Sequence, residues 1–325
     1  MGELNETQRY FIDEHIEDYM DGLISRRELL RRVTLISGSA ALAATIVAAC
    51  GTPAPSTGGV ATQTAAAATA FVPQAYGTPP PSAVPSGVTV QESDPRITVS
   101  KPEVKGADGA PLMAYMAKPK TNARVPGVVV IHENRGQTEH IRDVVRRVAT
   151  AGFVGINIDL AARDGGADKL TDAAAYNAAL GKRDTAAKLS DHNAAIAYLK
   201  GQSSGAIGVV GFCFGGGETW SVLTAGTADV KAAAPFYGPQ PTNYTELAKT
   251  KAAVSAVYAE LDTRITSSTQ QMEQELKKSG SPYAITIYPG VNHAFHNDTN
   301  PDRYNAAAAQ KAWVATVEWF RKYLV

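Results

Sequence analysis

The chain has 325 residues, enough for one large domain or two ordinary ones, and its 31 basic and 31 acidic side chains cancel. That balance gives no basic surface for nucleic acid, so no nucleic-acid partner is expected. Two cysteines, Cys50 and Cys213, imply no disulfide framework, and each is read for a use of its own.

Met1 to Ile24 is polar and acidic, with helical spacing at Phe11, Ile16, Tyr19 and Leu23. Ser25-Arg-Arg-Glu-Leu-Leu-Arg31 precedes an apolar run from Val33 to Ala49, and Cys50 follows. This pattern resembles a twin-arginine export signal, with Arg26 and Arg27 as the pair. Val47-Ala-Ala-Cys50 resembles a lipobox, in which small residues admit a signal peptidase and Cys50 takes the lipid. A plain membrane anchor is the alternative, but the run falls short of the roughly 20 apolar residues a span needs. Ser37, Gly38 and Ser39 dilute it further. The expectation is therefore an export signal over 1–49, outside the fold, and a lipid anchor at Cys50 on the extracytoplasmic face of a bacterial membrane. Residues 50–87, rich in Ala, Thr, Pro, Ser and Gly, read as a disordered tether, and 88–325 as the globular domain.

Within that domain, Ile97 to Val104 and Leu112 to Lys118 read as two strands around a turn at Ala107 to Gly109. Val125 to Ile131, Phe153 to Ile158, Ile207 to Gly211, Val230 to Tyr237, Ala252 to Leu261 and Tyr283 to Tyr288 read as further strands, several of them continuously apolar. Helices are expected at Ile141 to Ala151, Ala173 to Leu180, Thr185 to Leu199, Glu218 to Ala225, Ile265 to Lys278 and Asn305 to Tyr323. Strands buried on both faces and alternating with helices predict an α/β fold. Its sheet is mostly parallel, with helices on both faces and ligands at the carboxyl ends of the strands.

The stretch Ile207-Gly-Val-Val-Gly-Phe-Cys-Phe-Gly-Gly-Gly217 has the form of a nucleophile elbow, with cysteine where serine is usual. A side chain on so sharp a turn needs neighbours without a Cβ, and the next helix aims its first N–H groups at the thiol. A buried structural cysteine is the bland alternative. Four strand ends then carry reactive groups: Glu133, Cys213, Asp262 and His293. Cys, Asp, His is the chain order of nucleophile, acid and base in α/β hydrolases. His293 would take the thiol proton, and Asp262 would fix the imidazole. Asp262 alone reads more readily as a helix N-cap, and Glu260, within the strand rather than past its end, is a rival acid. His293, His296 and Asp298 suggest a metal only weakly, and Glu133 beside His132 lacks the second histidine of a zinc-protease helix, so neither metal nor organic cofactor is expected.

From Ile97 to Leu324 the chain resembles the dienelactone hydrolase (carboxymethylenebutenolidase) family. The marks are Gly-Phe-Cys-Phe-Gly-Gly-Gly, His132-Glu-Asn-Arg-Gly136, Asp159-Leu-Ala-Ala-Arg163 and Asn292-His-Ala-Phe295. The resemblance implies a lidless α/β-hydrolase fold with about eight strands. It also implies a Cys213–His293–Asp262 triad and an oxyanion hole from the N–H groups of Phe214 and Asn134. By the same resemblance Glu133 draws the proton from a neutral resting thiol once an anionic substrate binds Arg163. A second substrate-binding arginine is replaced by His296, with Arg303 as a possible substitute. The activity implied is hydrolysis of a lactone or small ester by a monomer through a thioacyl-enzyme. A non-catalytic binding lipoprotein on the same fold is the alternative.

Overall fold

The computed structural model describes residues 4–50 and 89–324; the expected tether therefore lies outside the described residues, apart from Cys50. Eight strands form one sheet in the order β1-β2-β4-β3-β5-β6-β7-β8. They are β1 (Ile97–Ser100), β2 (Tyr115–Pro119), β3 (Gly127–Ile131), β4 (Val154–Asn157), β5 (Ile207–Phe212), β6 (Val230–Phe236), β7 (Ala253–Ala259) and β8 (Tyr283–Tyr288). β1 and β2 are antiparallel and β2 runs antiparallel to β4, while β4 through β8 are parallel. Every residue of β3, β5 and β7 is buried, as strands covered on both faces require. β8 at the edge is half-exposed, and its alternation is correspondingly weaker.

The domain helices are α4 (Glu139–Thr150), α5 (Gly166–Lys169), α6 (Ala173–Gly181), α7 (Thr185–Gln202), α8 (Phe214–Thr224), α9 (Thr263–Thr266), α10 (Thr269–Ser279) and α11 (Ala306–Tyr323). Thr138, Asp172, Asp184 and Asn305 cap α4, α6, α7 and α11 through side-chain oxygens. Two expectations change. The helix expected over Ile265 to Lys278 is two helices, because the Ser267 and Ser268 hydroxyls bond back to the carbonyls of Arg264 and Ile265. The helix after the elbow starts at Phe214 rather than Glu218, since the glycines are its first turn.

A larger difference lies at the N-terminus. The segment expected to stand outside the fold is three helices, α1 (Glu6–Met20), α2 (Arg26–Ser37) and α3 (Ala40–Ala49); α1 and α2 pack on α6 of the domain and α3 packs on α2. The apolar run breaks at Gly38, whose φ of 68° ends α2, and Ser39 caps α3. No described helix is long and apolar enough to cross a membrane. α1 buries Phe11 and Ile12, and α2 buries Leu29, Val33 and Ile36. Burial of such side chains contributes about 1.5–3 kcal/mol each, before the cost of ordering the segment. Polar contacts fix the register: Asn5 Nδ2 donates to the Gly181 carbonyl at 2.7 Å, Lys188 Nζ donates to Thr7 Oγ1 at 2.6 Å, and Arg31 pairs with Asp172 at 2.8 Å. Helical periodicity marks a face that needs a partner but does not name the partner.

Candidate active site

β5 ends at Phe212, and Cys213 turns the chain into α8 with φ 58° and ψ −121°. A non-glycine residue in that region is strained by about 1–3 kcal/mol, and the surroundings must hold it there. They do so by close backbone packing. A Cβ on Gly211 would lie 2.0 Å from the Gly215 carbonyl oxygen, and one on Gly215 would lie 2.4 Å from that of Ile131. The Cys213 N–H is tied to the Phe236 carbonyl on β6 at 3.1 Å. Phe214 is the first residue of α8, so its N–H has no partner within the helix and points ahead of it. Asn134 is half-buried in the turn after β3.

Asp262 lies at the end of β7 and His293 in the loop after β8. His293 Nδ1 and Asp262 Oδ2 are 2.6 Å apart, and the other carboxylate oxygen accepts the Ile265 N–H at 3.3 Å. Asp262 is thus both helix cap and imidazole partner. Glu260 is excluded from that place because its carboxylate holds the Gly290 N–H at 2.8 Å. His293 Nε2 is buried with no hydrogen-bond partner, the condition of a base facing its substrate proton. Ala294, at φ 62°, bends the loop that presents it.

Glu133 is buried; one carboxylate oxygen accepts from Asn297 Nδ2 and the other has no hydrogen-bond partner. His132 beside it is structural: its Nδ1 contacts the Glu133 carbonyl at 2.6 Å, and its Nε2 accepts the Leu160 N–H at 3.1 Å. Asn297 and the buried Tyr237 were not singled out in the sequence. Tyr237 stands with its ring centroid 5.1 Å from that of His293. Its position at the end of β6 was the available signal.

Burial pushes the Cys213 thiol up, and Glu14 adds to the rise, outweighing the pull of His293 in the other direction. For His293, burial works to lower the pKa, but Glu14, Asp262 and the Cys213 sulfur together carry it well above the ordinary value. Asp262 is the converse. Burial works to raise its pKa, and His293 with Arg264 brings it below the usual carboxylate range.

The other expected site residues are engaged by other partners or exposed. Arg163 is held by Asp108 at 2.7 Å and by the buried Asp191 at 2.8 Å, so both faces of its fork are taken. His296, expected to meet substrate, is 1% exposed and stacked on Phe212 at 4.9 Å, with Phe236, His140 and Trp313 around it. Burial first, then the neighbouring Arg147, hold its pKa well below the ordinary value, so it packs as a neutral ring. Arg303 pairs with Asp18 and Asp21 of the N-terminal segment at 3.2 Å. Arg26 and Arg27 are exposed on the first turn of α2, and Cys50 is half-buried and free.

The N-terminal segment enters the centre itself, which sequence reading missed. Tyr10 Oη lies 3.3 Å from Cys213 Sγ, and Glu14 Oε2 lies 3.7 Å from His293 Nε2. Arg264 pairs with Glu14 and Glu17, and its guanidinium stands 5.6 Å over the Tyr10 ring. Phe11 packs on Phe214 with ring centroids 5.3 Å apart. Cys213 is left 4% exposed.

Residues 112–324 match the model of the dienelactone hydrolase family. A Methylorubrum extorquens protein named "Putative carboxymethylenebutenolidase" is 34% identical over 224 residues, covering 65% of this chain and 76% of its own length. An Escherichia coli O157:H7 protein of the same name is 31% identical over 258 residues, covering 75% and 94%. A crystal structure from Klebsiella pneumoniae, "Putative Dienelactone Hydrolase", superposes with a TM-score of 0.63 at 27% identity, over 70% of this chain and 99% of that one. The matched stretch contains the elbow, the Asp–His pair and the buried glutamate on one parallel sheet, and on these grounds the chain belongs to the dienelactone hydrolase family of hydrolases.

Proposed function

We propose that the domain hydrolyses a lactone or small carboxylic ester through a thioacyl-enzyme on Cys213. The observation that carries this is a buried thiol on a positive-φ elbow, beside a histidine whose far nitrogen is fixed by a carboxylate 2.6 Å away. His293 takes the thiol proton, and Sγ forms a bond to the acyl carbon. The carbonyl oxygen becomes an oxyanion facing the N–H groups of Phe214 and Asn134. As it collapses, the C–O bond to the alcohol breaks and His293 returns the proton to the leaving oxygen. Water then attacks the thioester, His293 takes its proton, and the C–S bond breaks, releasing the acid while His293 returns the proton to Cys213 Sγ. Asp262 keeps the proton on His293 Nδ1 so that Nε2 is the working nitrogen. Glu133, one oxygen held by Asn297 and the other open, supports a second route in which it takes the thiol proton in place of His293 when an anionic substrate binds.

A thiolate is a good leaving group, which suits lactones and activated esters better than amides. Loss of one oxyanion donor costs on the order of 100- to 1000-fold in such reactions. The test is turnover of p-nitrophenyl esters and unsaturated lactones by the wild-type chain beside Cys213→Ala. Activity surviving in the alanine variant rules out the cysteine mechanism. Export by the Arg26–Arg27 signal and lipidation of Cys50 belong to the same proposal. They predict acyl labelling and a mass shift that vanish in Cys50→Ser.

A further inference from the structure

The place where a substrate must sit is occupied by the chain itself. An attacking sulfur needs the acyl carbon within about 3–3.5 Å, and the Tyr10 hydroxyl fills that position at 3.3 Å. Glu14 is one helical turn further along α1, on the same face. Its carboxylate sits between His293 and Arg264, and one oxygen of Glu14, the Cys213 sulfur and a ring nitrogen of His293 lie within 4.8 Å of one another. An aromatic hydroxyl on the nucleophile and a carboxylate on a neighbouring arginine have the chemistry of an anionic ligand.

The arginines separate into two kinds. Arg163 is saturated by Asp108 and Asp191, both in the domain. Arg264 has its ion pairs, Glu14 and Glu17, on α1, and Arg303 has Asp18 on α1 and Asp21 at its end. Withdrawal of α1 therefore uncovers the thiol and releases a guanidinium beside the triad in one movement. Arg264 follows Asp262 by two residues, in the first turn of the short helix α9 that Asp262 caps.

We propose that α1 is a built-in competitive inhibitor of this site, and that Glu14 stands on Arg264 where the carboxylate of an anionic lactone or ester binds. This rests on Cys213 being the nucleophile. It assigns substrate charge recognition to Arg264 rather than to Arg163, and it makes turnover of the uncleaved chain conditional on displacement of α1, a condition that ends where cleavage before Cys50 removes residues 1–49.

The experiment uses the full chain with Cys50→Ser throughout, so that Cys213 is the sole thiol. Iodoacetamide labelling, followed by intact mass, reads access without requiring turnover. The Tyr10→Ala/Glu14→Gln double variant should label at least tenfold faster than the parent. The isosteric Glu14→Gln alone, which keeps every apolar contact of α1, should label at least threefold faster. A synthetic peptide of residues 4–24 added to the double variant should slow it again. Unchanged labelling in a folded Glu14→Gln chain and in the double variant overturns the inhibitor. In the open double variant, Arg264→Gln should raise KM for a glutarate mono-p-nitrophenyl ester at least tenfold and leave KM for p-nitrophenyl acetate within twofold. An equal change for both esters overturns the assignment of Arg264. Turnover that persists in Cys213→Ala sinks the nucleophile instead, and the labelling result stands apart from it.

Discussion

Asp262 carries two tasks through two oxygens, and substitution can separate them. One oxygen caps α9 at Ile265 and the other faces His293 Nδ1 at 2.6 Å. Asparagine keeps an acceptor for the cap but offers an N–H toward a ring nitrogen that must itself donate. The imidazole then takes the wrong tautomer, a change that costs about 10⁴ in kcat in the Ser-His-Asp template. Here Glu14 also supports the protonated ring, so the expected loss is about 10²- to 10⁴-fold, or roughly 3–5 kcal/mol of barrier. Asp262→Ala loses the cap as well, which adds about 1 kcal/mol of instability and a fall of about 2–4 °C in Tm for a domain of this size. The pair also has a pH signature. The depressed Asp262 contributes stability above about pH 4, and this is lost as pH falls through its folded value. The raised His293 contributes fully below about pH 6.5, and this is lost as pH rises through its folded value. The Tm gap between wild type and Asp262→Asn should therefore be widest between about pH 4 and 6.5. The assays are ester turnover and thermal melts across that range. Wild-type kcat in Asp262→Asn, with loss only in Asp262→Ala, would show that Asp262 is a cap and nothing more.

Glu14→Gln removes a charge that raises the Cys213 pKa, so the rising limb of alkylation rate against pH should move to lower pH; a limb that stays put refutes the coupling. Gly211→Ala puts a Cβ 2.0 Å from the Gly215 carbonyl oxygen, beyond the strain of ordinary overpacking at about 1–3 kcal/mol. The expected result is insoluble protein or a melt well below wild type, and a soluble variant of normal Tm would refute the packing. Arg147 joins Asp143 to Asp298 in a buried network that also holds His140 at 2.7 Å. Arg147→Ala leaves two buried carboxylates short of a cation and should cost about 3–5 kcal/mol in urea unfolding, with less effect on the activity of the protein that remains folded.

Strand and helix identity in the domain was legible because β-branched runs such as Val128–Ile131 and Val209–Val210 can only be buried strands when flanked by polar helices. The elbow was legible because its glycines answer a steric demand, and the close Cβ distances bear that out. Roles set by distant partners were not legible. Arg163 matches a motif, yet Asp108, 55 positions away, occupies its fork. His296 follows His293 by three residues, and the turn at Ala294 carries it against Phe212, away from the Asp262 side of the loop. Nothing local marks the acidic face of α1 as partnered, because its counter-charges, Arg264 and Arg303, lie some 250 to 285 positions later.

The charges around the thiol explain why closure and reactivity go together. Glu14 raises the pKa of both Cys213 and His293, so with α1 seated both groups are biased toward their protonated forms. That bias works against transfer of the thiol proton to the imidazole. Displacing α1 removes the carboxylate that favours this state and admits solvent, which relieves the burial that raises the thiol further. Both changes lower the thiol pKa; for His293 the loss of Glu14 lowers the pKa while the admitted solvent works the other way. A substrate carboxylate on Arg264 would restore a negative charge near the triad, but as part of the ligand whose acyl group then faces the sulfur. The same electrostatics that silence the closed site therefore separate an empty open site from a loaded one. Alkylation of the open chain, measured with and without glutarate as a non-reacting occupant, reads that difference directly: glutarate should move the alkylation limb back toward higher pH in the double variant and leave it unmoved once Arg264 is also changed to Gln.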